Sequence, residues 1–204
     1  RYSEDLDFTT TTPFNEEELK NFLNAINNYL IEKIGISITT KSLHINPEYA
    51  QIKVQFVGPL NHVNTIKFDI SFNERIVLQP DNKAILSEYS DQEKHYLLAY
   101  PLEEILAEKI RSIIQRGKTR DYYDVWKILK LHSKLINKVK VKTILAEKCK
   151  FKNLICNEEL LFEKEKITEA QQFWEKGLAH QINNLPEFKI VLEECKILIK
   201  GLLR

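Results

Sequence analysis

The sequence lacks several features that would place it in a functional class. No methionine occurs among its 204 residues, so we expect the chain to continue upstream of Arg1. Its three cysteines form no CxxC pair and its five histidines form no HxH or HExxH motif, so a zinc site is not expected. Neither a signal peptide nor an apolar run of membrane-spanning length is visible. The odd number of cysteines indicates reduced thiols, and we predict a cytoplasmic protein without a membrane partner.

The composition is ordinary for a globular protein, with 43% hydrophobic and 29% charged residues. The length suits one large domain or two small ones. The formal net charge is only +1, so the chain has no overall basic field. Any contact with nucleic acid would therefore come from a local patch.

The first half of the chain predicts one helix and then a sheet. Asn15 is a helix N-cap candidate and Gly35 a terminator, which predicts a helix over about 15–34. The apolar period then changes to two, which is typical of strands. Strands are predicted at 36–45, 50–57 and 64–72, with short edge strands at 75–78 and 84–89 and Pro80-Asp81-Asn82 between the last two.

The second half of the chain has helical periodicity. Helices are predicted at 102–115, 121–132, 139–148, 157–165, 167–183 and 187–202. We therefore predict an α+β fold with a mixed sheet in residues 1–100, lacking part of its N-terminal portion, and a helical region in residues 101–204.

Three aspartates are the candidate metal ligands. If residues 1–8 form a strand, Asp5 and Asp7 share one of its faces. Asp69 occupies the polar face of the strand at 64–72. Neighbouring carboxylates repel each other unless a cation or water compensates them, and hard oxygen ligands suit Mg²⁺. The alternative interpretation is a polar, exposed strand end.

Two helices carry charged residues among their apolar positions. Lys109 falls within the apolar stripe of the helix at 102–115, between Ile105 and Ile113. Asp121 lies inside the apolar arc of the next helix, and Asp124 lies beside it. A buried lysine requires an anion, so these residues predict either a shared polar site or a structural ion pair. Asp121 is also a candidate cap of its helix.

Taken together, these residues resemble the AbiEii/AbiGii-type toxin family, a branch of the nucleotidyltransferase superfamily. Their order and approximate separations agree with the four motifs of that family, over about the first two-thirds of the chain. The matching segments are Arg1-Tyr2-Ser3-Glu4-Asp5-Leu6-Asp7-Phe8, Lys67-Phe68-Asp69, Glu108-Lys109 and Arg116-Gly117-Lys118-Thr119-Arg120-Asp121-Tyr122-Tyr123-Asp124. The family also has a glycine-rich phosphate-binding turn, about ten residues before the aspartate pair and thus upstream of Arg1.

The resemblance implies the transfer of a nucleotidyl group from an NTP to a hydroxyl of an RNA, such as tRNA, or of a protein. It also implies a separate cognate antitoxin. Mg²⁺ or Mn²⁺ is the implied cofactor. The implied metal ligands are Asp5, Asp7 and Asp69; the implied catalytic residues are Asp69 and Asp121; the implied nucleotide-binding residues are Ser3, Lys67 and Lys109.

Two other functional classes remain open from the residues alone. A metal-dependent nuclease would pair Asp7 with Glu18 and Lys20 in an acid…ExK pattern, although the predicted helix turns the last two apart. A non-catalytic nucleotide-binding or regulatory protein would carry a degenerate form of the same site.

Arg116, Lys118 and Arg120 form a local basic turn. Such a turn predicts either a contact with the phosphates of a nucleic-acid acceptor or an ordinary solvated loop.

Overall fold

The computed structural model describes residues 5–86 and 94–203, which form two compact units. The first unit ends at Glu74 and the second begins at Arg75. The second unit therefore includes residues 75–100, which the sequence pattern grouped with the sheet.

The first unit is built on a four-stranded mixed sheet. Its strand order is β1-β4-β3-β2. β1 pairs with β4 in parallel, whereas the other neighbours pair antiparallel. The strands are β1 (Asp5–Thr9), β2 (Ile38–Ile45), β3 (Tyr49–Val57) and β4 (Val63–Ser71). The predicted mixed sheet is thus confirmed.

Helix α1 (Glu16–Ile34) packs on one face of this sheet. Asn15 and Glu18 form a reciprocal capping box at its start, and Gly35 ends it with a φ of 68°. Its buried residues, Leu19 and Leu23, join the core formed by Ala50, Ile52, Val54 and Ile70. Because side chains alternate along a strand, the odd-numbered residues of β3 and β4 lie on the opposite face.

The short strands differ from the prediction. β5 (Asp81–Ala84) pairs antiparallel with β6 (Tyr96–Ala99), so Asp81 and Asn82, expected between two strands, lie in a strand themselves. Residues 84–86 fall at or beyond the end of β5, and 87–89 lie outside the described residues. The predicted strand at 75–78 is wrong, because the N–H groups of Val77 and Leu78 donate to the Glu104 carboxylate.

The remainder of the second unit is helical. It comprises α2 (Leu102–Gln115), α3 (Thr119–His132), α4 (Lys138–Phe151), a 3₁₀ turn (Glu158–Phe162), α5 (Lys164–Gln172), α6 (Trp174–Leu178) and α7 (Phe188–Leu203). α2 packs against both α3 and α4, and α7 packs against α3. The α+β fold with a helical C-terminal region is therefore confirmed. None of the described helices combines the length and the apolar content that crossing a membrane requires.

One predicted helix is divided in two. The pattern over 167–183 predicts a continuous helix, whereas α5 ends at Gln172 and α6 begins at Trp174. The break brings Trp174 into the core, where it is 4% exposed and its indole N–H donates to the carbonyl of Pro186 at 2.8 Å. Burial of this large side chain stabilises the interruption of the helix.

Candidate functional site

The three aspartates lie on one face of the sheet in the first unit. In the parallel ladder, Asp5 is opposite Lys67 and Asp7 is opposite Asp69. Residues that face each other across a ladder project to the same side, so Asp5, Asp7 and Asp69 share one face. This face is opposite to the one that α1 covers.

Lys67 lies between two of these carboxylates. Its Nζ is 2.6 Å from Oδ2 of Asp69 and 3.4 Å from Oδ2 of Asp5. The hydrogen bond to Asp69 raises the pKa of Lys67; burial opposes this, while the charges of Asp69 and Asp5 add to it, so the pKa lies above its usual value. The ammonium therefore stays protonated and offsets the repulsion between the two carboxylates.

Asp69 is held on both of its oxygens. Oδ2 accepts from Lys67, and Oδ1 accepts from Nε2 of Gln51 at 3.0 Å. Gln51 lies directly opposite Asp69 on β3. Gln51 was not among the predicted site residues, although the alternation of β3 places it on the polar face. Together these bonds fix the orientation of the Asp69 carboxylate, whereas Asp7 is exposed.

As they stand, the three aspartates do not form a metal-binding group. In residues 5–86 and 94–203, no three His, Cys, Asp or Glu side chains are arranged to hold a metal ion. Their oxygens are of the type that Mg²⁺ and Mn²⁺ prefer, but the cation that meets Asp5 and Asp69 is Lys67. The metal therefore stays a prediction.

In the second unit, Lys109 and Asp121 belong to two separate ion pairs. Lys109 Nζ lies 2.8 Å from Oδ2 of Asp124, with side-chain exposures of 27% and 14%. Asp121 is fully buried and accepts both hydrogen bonds of a bidentate contact from Arg116, at 2.9 and 3.0 Å. Asp121 does not cap α3, because the N-cap position is Lys118 and carries no side-chain cap. The structure therefore pairs Lys109 with Asp124 and not with Asp121.

A comparison with known protein families gives a match. The sequence model described as "Nucleotidyl transferase AbiEii toxin, Type IV TA system" matches residues 1–194. The chain belongs to the AbiEii family. It is thus a nucleotidyl transferase-type toxin of a toxin–antitoxin system, for which a cognate antitoxin is implied, and the resemblance inferred from the motifs is confirmed. Comparisons with curated proteins and with solved structures found no match.

The basic turn of this AbiEii-family chain is largely engaged in ion pairs. Arg116 is bound to Asp121, and Lys118 pairs with Glu169 of α5. Gly117 adopts a φ of 57° between these two residues. The turn thus joins α2, α3 and α5 through side chains, whereas its exposed Arg120 forms no ion pair with a described residue.

The AbiEii chain also contains a buried ionic network that was not predicted from its sequence. Glu104, which is fully buried, accepts from the backbone of Val77 and Leu78 and pairs with Lys148 Nζ at 2.8 Å. Lys148, 3% exposed, also donates to the carbonyl of Arg75 at 2.7 Å. The sequence could have indicated Lys148, because it lies on the apolar face of α4 in the same way that Lys109 lies on the apolar face of α2.

Glu108 extends this network. Burial favours its neutral form, but the hydrogen bonds and charges of Arg111 and Lys148 outweigh that effect, so the pKa of Glu108 lies below its usual value. Glu108 is thus ionised and compensated by Arg111 and Lys148, which indicates a structural network.

The predicted residues that remain are Ser3, Glu18 and Lys20. Ser3 lies outside the described residues. Glu18 and Lys20, the residues of the nuclease alternative, are engaged within the first turns of α1: Glu18 accepts from the N–H of Asn15, and Lys20 pairs with Glu16.

Proposed function

We propose that this chain transfers a nucleotidyl group from an NTP to a hydroxyl of an RNA, with tRNA as the preferred candidate and a protein hydroxyl as the alternative. The observation that carries the proposal is the shared sheet face of Asp5, Asp7, Asp69 and Lys67 in a member of the AbiEii family. In such a reaction the acceptor oxygen attacks the α-phosphorus of the NTP. The bond between the α-phosphorus and the bridging oxygen of the leaving pyrophosphate breaks, and the acceptor proton goes to a base.

Asp69 is the proposed base. Its carboxylate is held by Lys67 and Gln51, which leaves its orientation defined before a substrate arrives. Lys67 supplies positive charge beside the carboxylates, and this charge supports its proposed contact with the nucleotide phosphates. Mg²⁺ or Mn²⁺, bound by Asp5, Asp7 and Asp69, is the proposed cofactor that would neutralise the remaining charge of the triphosphate.

The structure supports different roles for Lys109 and Asp121. Lys109 keeps a side-chain exposure of 27% beside Asp124, which supports a contact of this lysine with a nucleotide phosphate. Asp121 is fully buried and bound to Arg116 through both oxygens. This contact supports a positioning role for Asp121, through the Arg116 turn, over direct contact with a substrate.

The test is incubation of the protein with each of the four α-³²P-labelled NTPs and total RNA, with and without Mg²⁺ or Mn²⁺. We expect label from one or more NTPs to enter a discrete RNA band. Label that enters protein and not RNA would establish the alternative acceptor. Saturable NTP binding without transfer to either acceptor would contradict the enzyme and identify a non-catalytic nucleotide-binding protein.

A further inference from the structure

Lys67 lies where a bound cation would meet the carboxylates of the sheet. In the parallel ladder it is directly opposite Asp5, and it precedes Asp69 by two residues on β4, so the three side chains share one face. Its ammonium nitrogen is 2.6 Å from Oδ2 of Asp69 and 3.4 Å from Oδ2 of Asp5. Lys67 therefore occupies two of the three carboxylates that are the proposed ligands of Mg²⁺ or Mn²⁺.

The contacts of Asp69 indicate which group has to leave when a divalent cation binds. Gln51 donates to Oδ1, and Lys67 donates to Oδ2. The amide of Gln51 is neutral, and the lone pairs of a carboxylate can accept a hydrogen bond and bind a metal together. An ammonium and a divalent cation on the same carboxylate repel each other strongly, because they are only a few ångströms apart in a partly buried place. Lys67, and not Gln51, is thus the group that has to be displaced.

The side chain of Lys67 is able to leave, but its surroundings favour only some directions. It is 27% exposed, and its four-carbon stem is flexible. Lys53 is directly opposite it on β3, on the same face of the sheet, and is exposed. Lys53 forms no ion pair with a residue that the structure describes. Like charges at opposite positions of a ladder repel each other, so an ammonium displaced towards β3 meets a second cation.

A displaced Lys67 therefore needs an anion from outside the chain. The proposed reaction supplies one, because the triphosphate of an NTP reaches such a site together with its divalent cation. An ammonium that exchanges a carboxylate for a phosphate stays compensated, whereas one displaced without a nucleotide does not. The divalent cation and the NTP should thus favour the binding of each other.

We propose that Lys67 is a displaceable counter-ion that couples the two ligands. Its ammonium occupies Asp5 and Asp69 and thereby lowers their affinity for a divalent cation. When that cation binds together with an NTP, Lys67 passes from the carboxylates to the nucleotide phosphates. The inference rests on the metal ligands and the NTP of the proposed function, and it predicts that removal of the lysine has opposite effects on the two ligands.

The first experiment measures the affinity of the full chain for Mn²⁺ without nucleotide or RNA, from the electron paramagnetic resonance signal of the free ion. Lys67→Met should bind Mn²⁺ at least about 10-fold more tightly than wild type, within the range typical of coupled sites. Lys67→Gln removes the charge but keeps a polar end, and it should behave in the same way. Lys67→Arg keeps the charge, so its Mn²⁺ affinity should stay within about threefold of wild type.

Two controls assign the gain in Mn²⁺ affinity to this position. Lys53→Met removes the same charge from the opposite residue of β3, one strand further from Asp5, and should change the affinity by no more than about threefold. Lys67→Met combined with Asp69→Asn removes a proposed metal ligand and should lose the gain. Circular dichroism and urea unfolding establish that each variant is folded. Unchanged or weaker Mn²⁺ binding by both Lys67→Met and Lys67→Gln, or an equal gain in Lys53→Met, would overturn the proposal.

The second experiment measures NTP affinity at saturating Mn²⁺ without RNA, by equilibrium dialysis with each labelled NTP. Lys67→Met should bind the NTP that wild type prefers at least about 10-fold more weakly, because no ammonium reaches the phosphates. Lys67→Arg should keep the affinity to within about threefold, since a guanidinium also binds phosphate. An unchanged NTP affinity in Lys67→Met, or a change of both affinities in the same direction, would overturn the proposal.

This inference and the transfer reaction fail in different ways. Opposite effects of Lys67→Met on Mn²⁺ and NTP affinity, in a protein whose wild type transfers no nucleotide to any acceptor, would reject the transfer and retain the role of Lys67. Transfer by the wild-type chain, together with wild-type affinities of Lys67→Met for both ligands, would reject the role of Lys67 and retain the transfer.

Discussion

Single lysines among apolar residues mark the charged contacts of this protein. Lys109 and Lys148 each lie on the apolar side of a helix, and each meets a carboxylate of another helix. Their exposures differ, at 27% for the Lys109 side chain and 3% for that of Lys148. The two ion pairs should therefore differ in their contribution to stability, because water screens the more exposed pair of Lys109.

Replacing Lys109 with methionine tests whether its pair with Asp124 is functional or only structural. The side chain keeps its apolar stem and loses its charge. Because both partners retain some exposure, we expect a loss of about 1–2 kcal/mol, below the 3–5 kcal/mol typical of a fully buried pair. Urea unfolding measures this loss, and equilibrium dialysis with labelled NTP measures binding. NTP affinity equal to that of wild type in the folded variant would reject the phosphate contact of Lys109.

Replacing Asp69 with asparagine tests the proposed base. Asparagine retains a polar contact with Gln51 but accepts no proton, so transfer should fall at least about 100-fold, as for a lost general base. Stability should change by no more than about 1 kcal/mol, since Asp69 and Lys67 are about 30% exposed.

The matched control for this substitution is Asp81→Asn. Asp81 is also a strand aspartate, paired at 3.0 Å with the lysine two residues away. It should retain wild-type transfer in the same labelled-NTP assay. A loss of several kcal/mol in Asp69→Asn, seen by urea unfolding, would show that Asp69 is a structural group.

At the scale of elements, the junction between α2 and α3 depends on one glycine. Gly117 has a φ of 57°, and a Cβ placed there would lie 2.9 Å from Cβ of Lys166. Gly117→Ala should therefore cost about 2 kcal/mol, from the left-handed backbone and the steric overlap. Gly201→Ala is the control, because Gly201 lies in α7 with no atom within 4 Å of the added carbon. It should gain up to about 1 kcal/mol from helix propensity. A gain in melting temperature for both variants would contradict the steric explanation.

The segment that precedes β5 is held by side chains and not by a sheet. Glu104 binds the N–H groups of Val77 and Leu78, and Lys148 compensates its charge. Lys148→Met would leave that carboxylate without its cation and should cost about 3–5 kcal/mol. Lys150→Met removes an exposed lysine from the same helix and should change stability by less than about 0.5 kcal/mol. Chemical denaturation measures the stability of both variants. Equal stabilities would show that the pair of Lys148 with Glu104 does not stabilise this segment.

At the scale of the whole molecule, buried thiols link stability to alkaline pH. Burial raises the pKa of Cys195 to about 12, and burial, with a contribution from Cys156, raises that of Cys149 to about 12. In the unfolded chain both thiols ionise near pH 9. The unfolded state therefore loses these protons first. The stabilisation is complete below pH 9 and is lost as the pH rises from 9 towards 12.

The free energy of unfolding, measured in urea at intervals from pH 7 to 11, should be level near neutrality and then decline above pH 9. In Cys195→Ala the cavity lowers stability at every pH, but the alkaline decline should be shallower, since Cys149 alone then contributes a thiol. A decline equally steep in both proteins would assign the effect to other groups.

Local pattern alone determined much of this protein. The helix predicted at 102–115 is α2 with the same bounds, because its apolar spacing spans four turns and Pro101 precedes it. The alternation of residues 64–72 placed Asp69 on the polar face, opposite the side that packs on α1. The four motifs were sufficient to indicate the AbiEii family. These inferences depend on neighbours within a few residues, where the period of the backbone dictates direction.

The choice of partners was decided only by the tertiary structure. The sequence left both Asp121 and Asp124 open as the anion for Lys109, and the packing of α2 on α3 selected Asp124. The sequence predicted a strand at 75–78, but the backbone N–H groups of Val77 and Leu78 donate to Glu104. This glutamate lies 27 and 26 residues further along the chain. The sequence placed Asp5, Asp7 and Asp69 on polar strand faces, and only the structure showed that Lys67 lies between Asp5 and Asp69. Periodicity specifies which way a side chain projects, whereas the atom that it meets depends on distant segments brought together by folding.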